Sequence, residues 1–343
     1  MNRGDPTTML QPVSKPRRKR HGRWSLRPPA NLFHLADGWS DSRHTNPPSR
    51  PAAAVTPIRE LPDTTFSDDG PTRGVEAVVE DGAVLVFPRL PFVLADEERR
   101  FLDERWTDGR AKNISVRWPS GELRGAAGPG ADLDALRSMI VRYAEMSEAF
   151  ALRLFPHYRG HLRRGNTSFR PADVAGRETS WRKDDTRLHV DAFPSNPMQG
   201  TRLLRVFCNV NPDGQPRLWR VGEPFAAHAR RYLASFTRPL PGAAWLMTAM
   251  GITKRRRTEY DHVMLQLHDH AKADLDFQRT SPQADLAFAP GTTWVVYSDQ
   301  VLHAAMGGQH MMEQTFLLDV EHQQRPETSP LRTLERLLHR PLR

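Results

Sequence analysis

From about Ser168 onward the chain is broken into short apolar or alternating runs, each ended by a cluster of Pro, Gly or Asn. That period and punctuation point to short strands whose alternate side chains share a face. Candidate strands are 186–193, 201–210, 216–221, 243–249, 284–288, 292–298 and 314–320. Two helical stretches interrupt them, 223–236 and 258–277, the second with Tyr260, Met264, Leu267, Ala271 and Leu275 on one side. Upstream, 83–87 reads as a buried strand and 96–106 as a helix placing Phe101, Leu102 and Trp106 together. A second helix is expected over 132–154, where Leu136, Ile140, Tyr143 and Phe150 recur at helical intervals. Many short strands with helices laid outside predict a mainly β jelly roll, a double-stranded β-helix with flanking helices.

The first 75 residues are of another kind. They hold 11 of the 29 prolines and no apolar periodicity, which predicts a disordered arm over 1–75 and a folded domain over 76–343. Charge divides along the same line: residues 1–27 contribute +7 of the net +9, so the remainder is close to neutral. The arm is expected to be a solvated tail or a contact for anionic lipid head groups. No stretch approaches the roughly 18–20 apolar residues that cross a bilayer, and no apolar core follows the N-terminal charges. A single cysteine, Cys208, excludes a disulfide framework and a Cys-based zinc cluster. Together these features predict a cytoplasmic protein.

The sharpest chemical signal is His189-Val190-Asp191. Residues i and i+2 of a strand face the same way, so both side chains reach one metal ion. About one His-x-Asp is expected by chance in a chain with 14 histidines, so its weight comes from context. The pair lies in a candidate strand, and a later apolar run and turn lead to His303. His189, Asp191 and His303 then form the two-histidine, one-carboxylate set of Fe(II) oxygenases, with three positions open for 2-oxoglutarate and O2. His268-Asp269-His270 competes in composition, but on a helix the two histidines lie about 200° apart and cannot grip one ion. His268, four residues after Met264, is expected to pack or hydrogen-bond.

The distal carboxylate of 2-oxoglutarate needs a cation. Residues 304–324 contain no Lys or Arg, so the search moves to 201–210. Period two there separates Leu204, Val206, Cys208 and Val210 from Arg205, Phe207 and Asn209. The first set is expected to pack outward against helices. The second would line the cavity, with Arg205 and Asn209 as cosubstrate contacts; the Arg205 fork matches a carboxylate bidentately.

The stretch from Ser180 to Ser195, including Arg187-Leu188-His189-Val190-Asp191-Ala192-Phe193, resembles the Kdo hydroxylases. So do Arg205-Val206-Phe207-Cys208-Asn209-Val210-Asn211-Pro212, Met264-Leu265-Gln266-Leu267-His268-Asp269 and Ser298-Asp299-Gln300-Val301-Leu302-His303-Ala304. The similarity spans about 80–320. It implies a jelly-roll enzyme that uses Fe(II), 2-oxoglutarate and O2 to hydroxylate C3 of 3-deoxy-D-manno-oct-2-ulosonic acid (Kdo) on lipid A. It also implies peripheral work at the cytoplasmic face of the inner membrane. The iron ligands carry over to His189, Asp191 and His303, and functional arginines and a tryptophan to Arg170, Arg205 and Trp219. Cations for the substrate's phosphates and carboxylate are expected from Arg170, Lys183 and Arg187, with Trp219 beside them.

Two rivals stand against this reading. A cupin-like metal enzyme without 2-oxoglutarate would explain the missing late arginine. A basic nucleic-acid-binding protein would use 1–27 and Lys254-Arg255-Arg256-Arg257, but a nearly neutral body with no binding module argues against it.

Overall fold

The computed structural model describes residues 55–67, 73–173 and 180–343. In chain order the strands are β1 (Ile58–Glu60), β2 (Val84–Phe87), β3 (Ile114–Val116), β4 (Leu123–Arg124), β5 (Arg163–Arg170) and β6 (Arg202–Asn209). They continue with β7 (Arg217–Val221), β8 (Ala284–Phe288), β9 (Thr293–Tyr297), β10 (His303–Gly307) and β11 (Met311–Leu318). The α-helices are α1 (Glu76–Glu80), α2 (Gly130–Leu154), α3 (Phe225–Tyr232), α4 (Ala243–Ala249), α5 (Glu259–Ala273), α6 (Leu275–Thr280) and α7 (Pro330–Leu338). Eight strands form one sheet in the order β1-β2-β9-β6-β11-β5-β3-β4, and β10-β7-β8 form a second. This is the expected jelly roll with helices outside.

Strand parity sorts the interior into layers. Leu204, Val206 and Cys208 of β6, with Met312, Phe316 and Leu318 of β11, bury against Leu136, Met139, Ile140, Tyr143 and Phe150 of α2. The Tyr143 hydroxyl donates to the Val206 carbonyl at 3.1 Å, so the helix is keyed to the strand as well as packed on it. The opposite faces of the two sheets meet through Phe207, Trp294, Val296 and Met311 on one side and Trp219, Val221, Phe288 and Ala305 on the other. A third apolar layer joins Leu188, Val190, Leu302 and Ala304 to α3, α5, α6 and α7. Among the described residues no helix is long and apolar enough to cross a membrane.

Several expected elements change. Residues 243–249 form α4, not a strand, and none of them is buried; Ala, Leu and Met are strong helix formers, and no sheet face is there to override them. The 186–193 run makes only one bridge, His189 to His303. Beside it the Gln278 side chain accepts from the Leu188 amide at 2.8 Å and donates to its carbonyl at 2.9 Å, taking the place of a neighbouring strand. The 258–277 helix breaks at Asp274, which caps α6 by accepting from the Phe277 amide at 2.9 Å. Residues 96–106 are two short 3-10 segments, and β11 starts three residues before the expected 314. Strands β5 and β10 were not expected as such, because Arg163-Arg164-Gly165-Asn166 is polar and β10 is short.

The expected arm boundary also moves. Residues 55–67 and 73–75 fall in the expected disordered arm, yet β1 pairs parallel to β2 and the Thr56 amide donates to Gly222 at 2.9 Å. Phe66 is buried against the Phe150 ring at 5.3 Å, and Asp63 pairs with Arg153 at 3.0 Å and with Arg73 at 3.0 Å. The remainder of the arm lies outside the described residues.

Two outcomes follow from this packing. Deleting 1–75 should lower the melting temperature well below that of a 1–54 deletion, and Phe66→Ala alone should cost about 3–5 kcal/mol in denaturant unfolding. Burial pushes the Cys208 thiol up to about 11, so native protein at pH 8 should resist alkylation and label only as fast as it opens.

Candidate metal centre

His189 and His303 exchange both of their backbone hydrogen bonds: His303 N–H donates to His189 at 2.9 Å, and His189 N–H to His303 at 3.1 Å. Residues directly opposed in an antiparallel pair project their side chains to the same face. The imidazole centroids are 4.8 Å apart. Two residues on, Asp191 is fixed by its own amide donating to Ser298 at 2.9 Å, and one carboxylate oxygen lies 3.8 Å from His189 Nε2. One donor atom from each of the three lies within 4.8 Å of the others, and no other such cluster exists among the described residues.

The histidine tautomers follow from their neighbours. His189 Nδ1 is 2.7 Å from the Arg187 carbonyl, and His303 Nδ1 is 2.8 Å from the Val301 carbonyl. A carbonyl only accepts, so each Nδ1 carries the proton and each Nε2 presents its lone pair. Burial lowers both imidazole pKa values and keeps the rings neutral. Burial opposes charge on Asp191, but the Arg205 guanidinium beside it outweighs burial and holds the carboxyl well below the usual range. Two neutral nitrogens and one anionic oxygen fit a divalent iron with further positions open.

Behind Asp191 runs a ladder of alternating charge. Arg205 lies 2.9 Å from Asp191 Oδ2 and 2.6 Å from Glu313, and Arg170 takes the other Glu313 oxygen at 2.6 Å. Glu313 is on β11 between β5 and β6, level with Ser168 and Phe207, so both arginines reach it from flanking strands. Burial opposes its charge, yet Arg205 and Arg170 keep its pKa below the ordinary value. Trp219 of β7 stacks on His303, with centroids 5.2 Å apart and planes at 19°. Arg217 shares the Trp219 face and is buried; its Nη1 donates to the Gly308 carbonyl, while Nε and Nη2 have no partner among the described residues. It makes no ion pair among the described residues, and burial, with Arg170 nearby, lowers its pKa to about 9. The Trp219 indole N–H is likewise buried without a partner among the described residues.

The structure brings His189, Asp191, His303, Arg205, Arg170 and Trp219 together and gives the other candidate residues different partners. Arg205 is not free for a ligand carboxylate; Asp191 and Glu313 already hold it. Asn209 spends its amide on the backbone, donating to Phe288 at 2.9 Å and Gln215 at 3.1 Å and accepting from Asn211 at 2.9 Å, so it is not a free cosubstrate contact. Arg187 clamps Asp184 at 3.1 Å and the Lys272 carbonyl at 2.7 Å instead of facing substrate. Lys183 does line the cavity above the triad, about 1450 Å³ in volume, with Arg110, Lys112, Arg182, Arg257 and Lys272 against only Asp185, Asp191 and Asp269. Arg217, Glu313 and Lys272 were missed. For Arg217 the signal was available, because it shares strand parity with Trp219. His268 is no ligand; its ring meets His189 edge-on at 5.4 Å and hydrogen-bonds Asp269 at 2.9 Å.

Residues 63–341 match the family described as 3-deoxy-D-manno-oct-2-ulosonic acid (Kdo) hydroxylase. The chain belongs to the Kdo hydroxylase family. A crystal structure of the Kdo hydroxylase KdoO, a non-heme Fe(II) α-ketoglutarate-dependent dioxygenase, in complex with α-ketoglutarate and Fe(III) is 46% identical to it. The match covers 84% of this chain and 97% of that one, with a TM-score of 0.80. The cobalt(II) complex of KdoO is 47% identical over the same shares, with a TM-score of 0.81. Comparison with curated proteins gives no match. In this Kdo hydroxylase family member, His189→Ala, Asp191→Ala or His303→Ala should each abolish stoichiometric Fe(II) or Co(II) binding with the fold kept, by calorimetry and circular dichroism. His268→Ala should retain the metal.

Proposed function

We propose that the chain is an Fe(II)- and 2-oxoglutarate-dependent dioxygenase that hydroxylates C3 of Kdo on a lipid A glycolipid, peripherally at the cytoplasmic face of the inner membrane. The observation that carries this is the buried pair of Nε2 lone pairs beside Asp191, opening into a cation-lined cavity. Family membership adds the sugar. His189, Asp191 and His303 would hold the iron. Bound iron, with 2-oxoglutarate and O2, supplies the oxidant that turns C–H into C–OH, the cosubstrate leaving as succinate and CO2.

The protein's own residues do the rest. Arg187 and Val301 carbonyls fix the ring orientation of the two histidines. Arg205 keeps Asp191 ionised and aimed, with Glu313 holding Arg205. Arg217, whose Nε and Nη2 are buried and unpartnered, takes the distal carboxylate of 2-oxoglutarate, with Trp219 and Arg170 beside it. Burying such groups without a partner is unfavourable, and an anion between them relieves the cost. At the mouth, Lys183 and Arg182 meet the phosphates and sugar carboxylate.

Mass spectrometry of lipid A core from cells with and without the protein tests the reaction, which requires a gain of one oxygen on Kdo and 2-oxoglutarate-dependent succinate. Turnover without succinate would instead favour the cupin-like reading. Arg217→Ala should raise the apparent 2-oxoglutarate constant at least about thirtyfold with iron content kept, as loss of a buried charge pair worth roughly 2–5 kcal/mol implies. Arg205→Ala should lose iron as well. If Arg205→Ala changes only the 2-oxoglutarate constant, Arg205 is the anchor.

A further inference from the structure

Of the ten large hydrophobic residues exposed among the described residues, five fall between Leu240 and Ile252. Leu240, Trp245, Leu246, Met250 and Ile252 are 50–78% exposed, on and around α4, a helix that buries nothing. Scattered single apolar residues need no explanation, but a contiguous group containing a tryptophan marks an interaction surface. Its setting is cationic. Residues 224–258 contain no Asp or Glu and seven Arg or Lys, and Lys254, Arg255 and Arg256 are exposed directly after the apolar group.

Among the described residues, hydrogen bonds fasten the segment to the rest of the chain at its two ends. At one end Thr237 is hydrogen-bonded to the Gln266 side chain at 2.8 Å and 3.0 Å. At the other, the Lys254 amide donates to Ser195 at 2.9 Å and Arg257 to the Pro194 carbonyl at 2.7 Å. Gln266, Pro194 and Arg257 also line the cavity above the triad. The two ends of the segment that carries the apolar group are therefore anchored at the rim of the site.

We propose that residues 240–256 are the surface by which this protein docks on an anionic phospholipid bilayer, with Trp245, Leu246 and Met250 entering the headgroup region and Lys254 and Arg256 pairing with lipid phosphates. The chemistry favours lipid over a protein partner. An apolar wedge with a tryptophan, bordered by basic residues and lacking any acid, is complementary to an interface that is apolar below and negative above. The relevance to catalysis rests on the reading that the substrate is lipid-linked; docking here would turn the cavity mouth toward the headgroups.

The test uses the full chain and vesicles free of any Kdo lipid, either phosphatidylcholine alone or phosphatidylcholine with phosphatidylglycerol. Wild type should sediment with the anionic vesicles, less so as salt rises. Trp245→Ala/Met250→Ala and Lys254→Glu/Arg256→Glu should each weaken binding at least about tenfold with an unchanged melting temperature. Brominated lipid should quench tryptophan fluorescence in wild type and much less in Trp245→Phe. Unchanged sedimentation and quenching in all variants would overturn the proposal and leave vesicle binding to another part of the chain. A dimer that the same variants convert to monomer, with vesicle binding intact, would also overturn it. Patch-dependent vesicle binding by a protein that adds no oxygen to Kdo would keep the docking surface and remove the functional reading instead.

Discussion

The reciprocal backbone pairing of His189 with His303 is the constraint on which the rest depends. It is made by main-chain atoms, so it sets the spacing of the two imidazoles before any side chain is chosen, and i+2 parity adds Asp191. A slip of one residue in the segment that carries His189 and Asp191 would turn both away from His303. Neighbouring bonds hold the register: Gln278 grips Leu188 from one side, and the Gly222 amide donates to Leu302 at 2.9 Å on the other. At Gly222 an added Cβ would come within 3.0 Å of the Leu302 side chain, so close approach requires glycine there.

Charge inside the barrel is organised by one carboxylate. Glu313 receives Arg170 and Arg205 from the strands on either side, and Arg205 passes the connection to Asp191. Breaking such a buried pair leaves an uncompensated charge, so replacing either arginine should destabilise the fold even where it touches no ligand. Arg202 shows the same rule on the outer face of β6. It is wholly buried, paired with Asp299 at 2.7 Å and Gln300 at 2.6 Å, and lies 3.9 Å over the Tyr297 ring. It fastens β6 to the turn that leads to His303.

The triad and the two faces of 201–210 were legible because both depend on period two, a property of sequence alone. What a given face touches was not. Parity correctly turned Arg205 inward, but only the fold shows Glu313 waiting there and Arg217 without an acid. Residues 243–249 misled because an apolar run signals burial, whereas here the apolar side chains face outward. The 186–193 run looked like a strand and is extended, yet a glutamine side chain supplies part of its pairing.

The two imidazoles come from segments more than a hundred residues apart, joined across sheets whose last strands lie near the end of the chain. Such a contact has high sequence separation and forms only after long loops have closed. The complete three-residue donor set is thus a property of the folded chain.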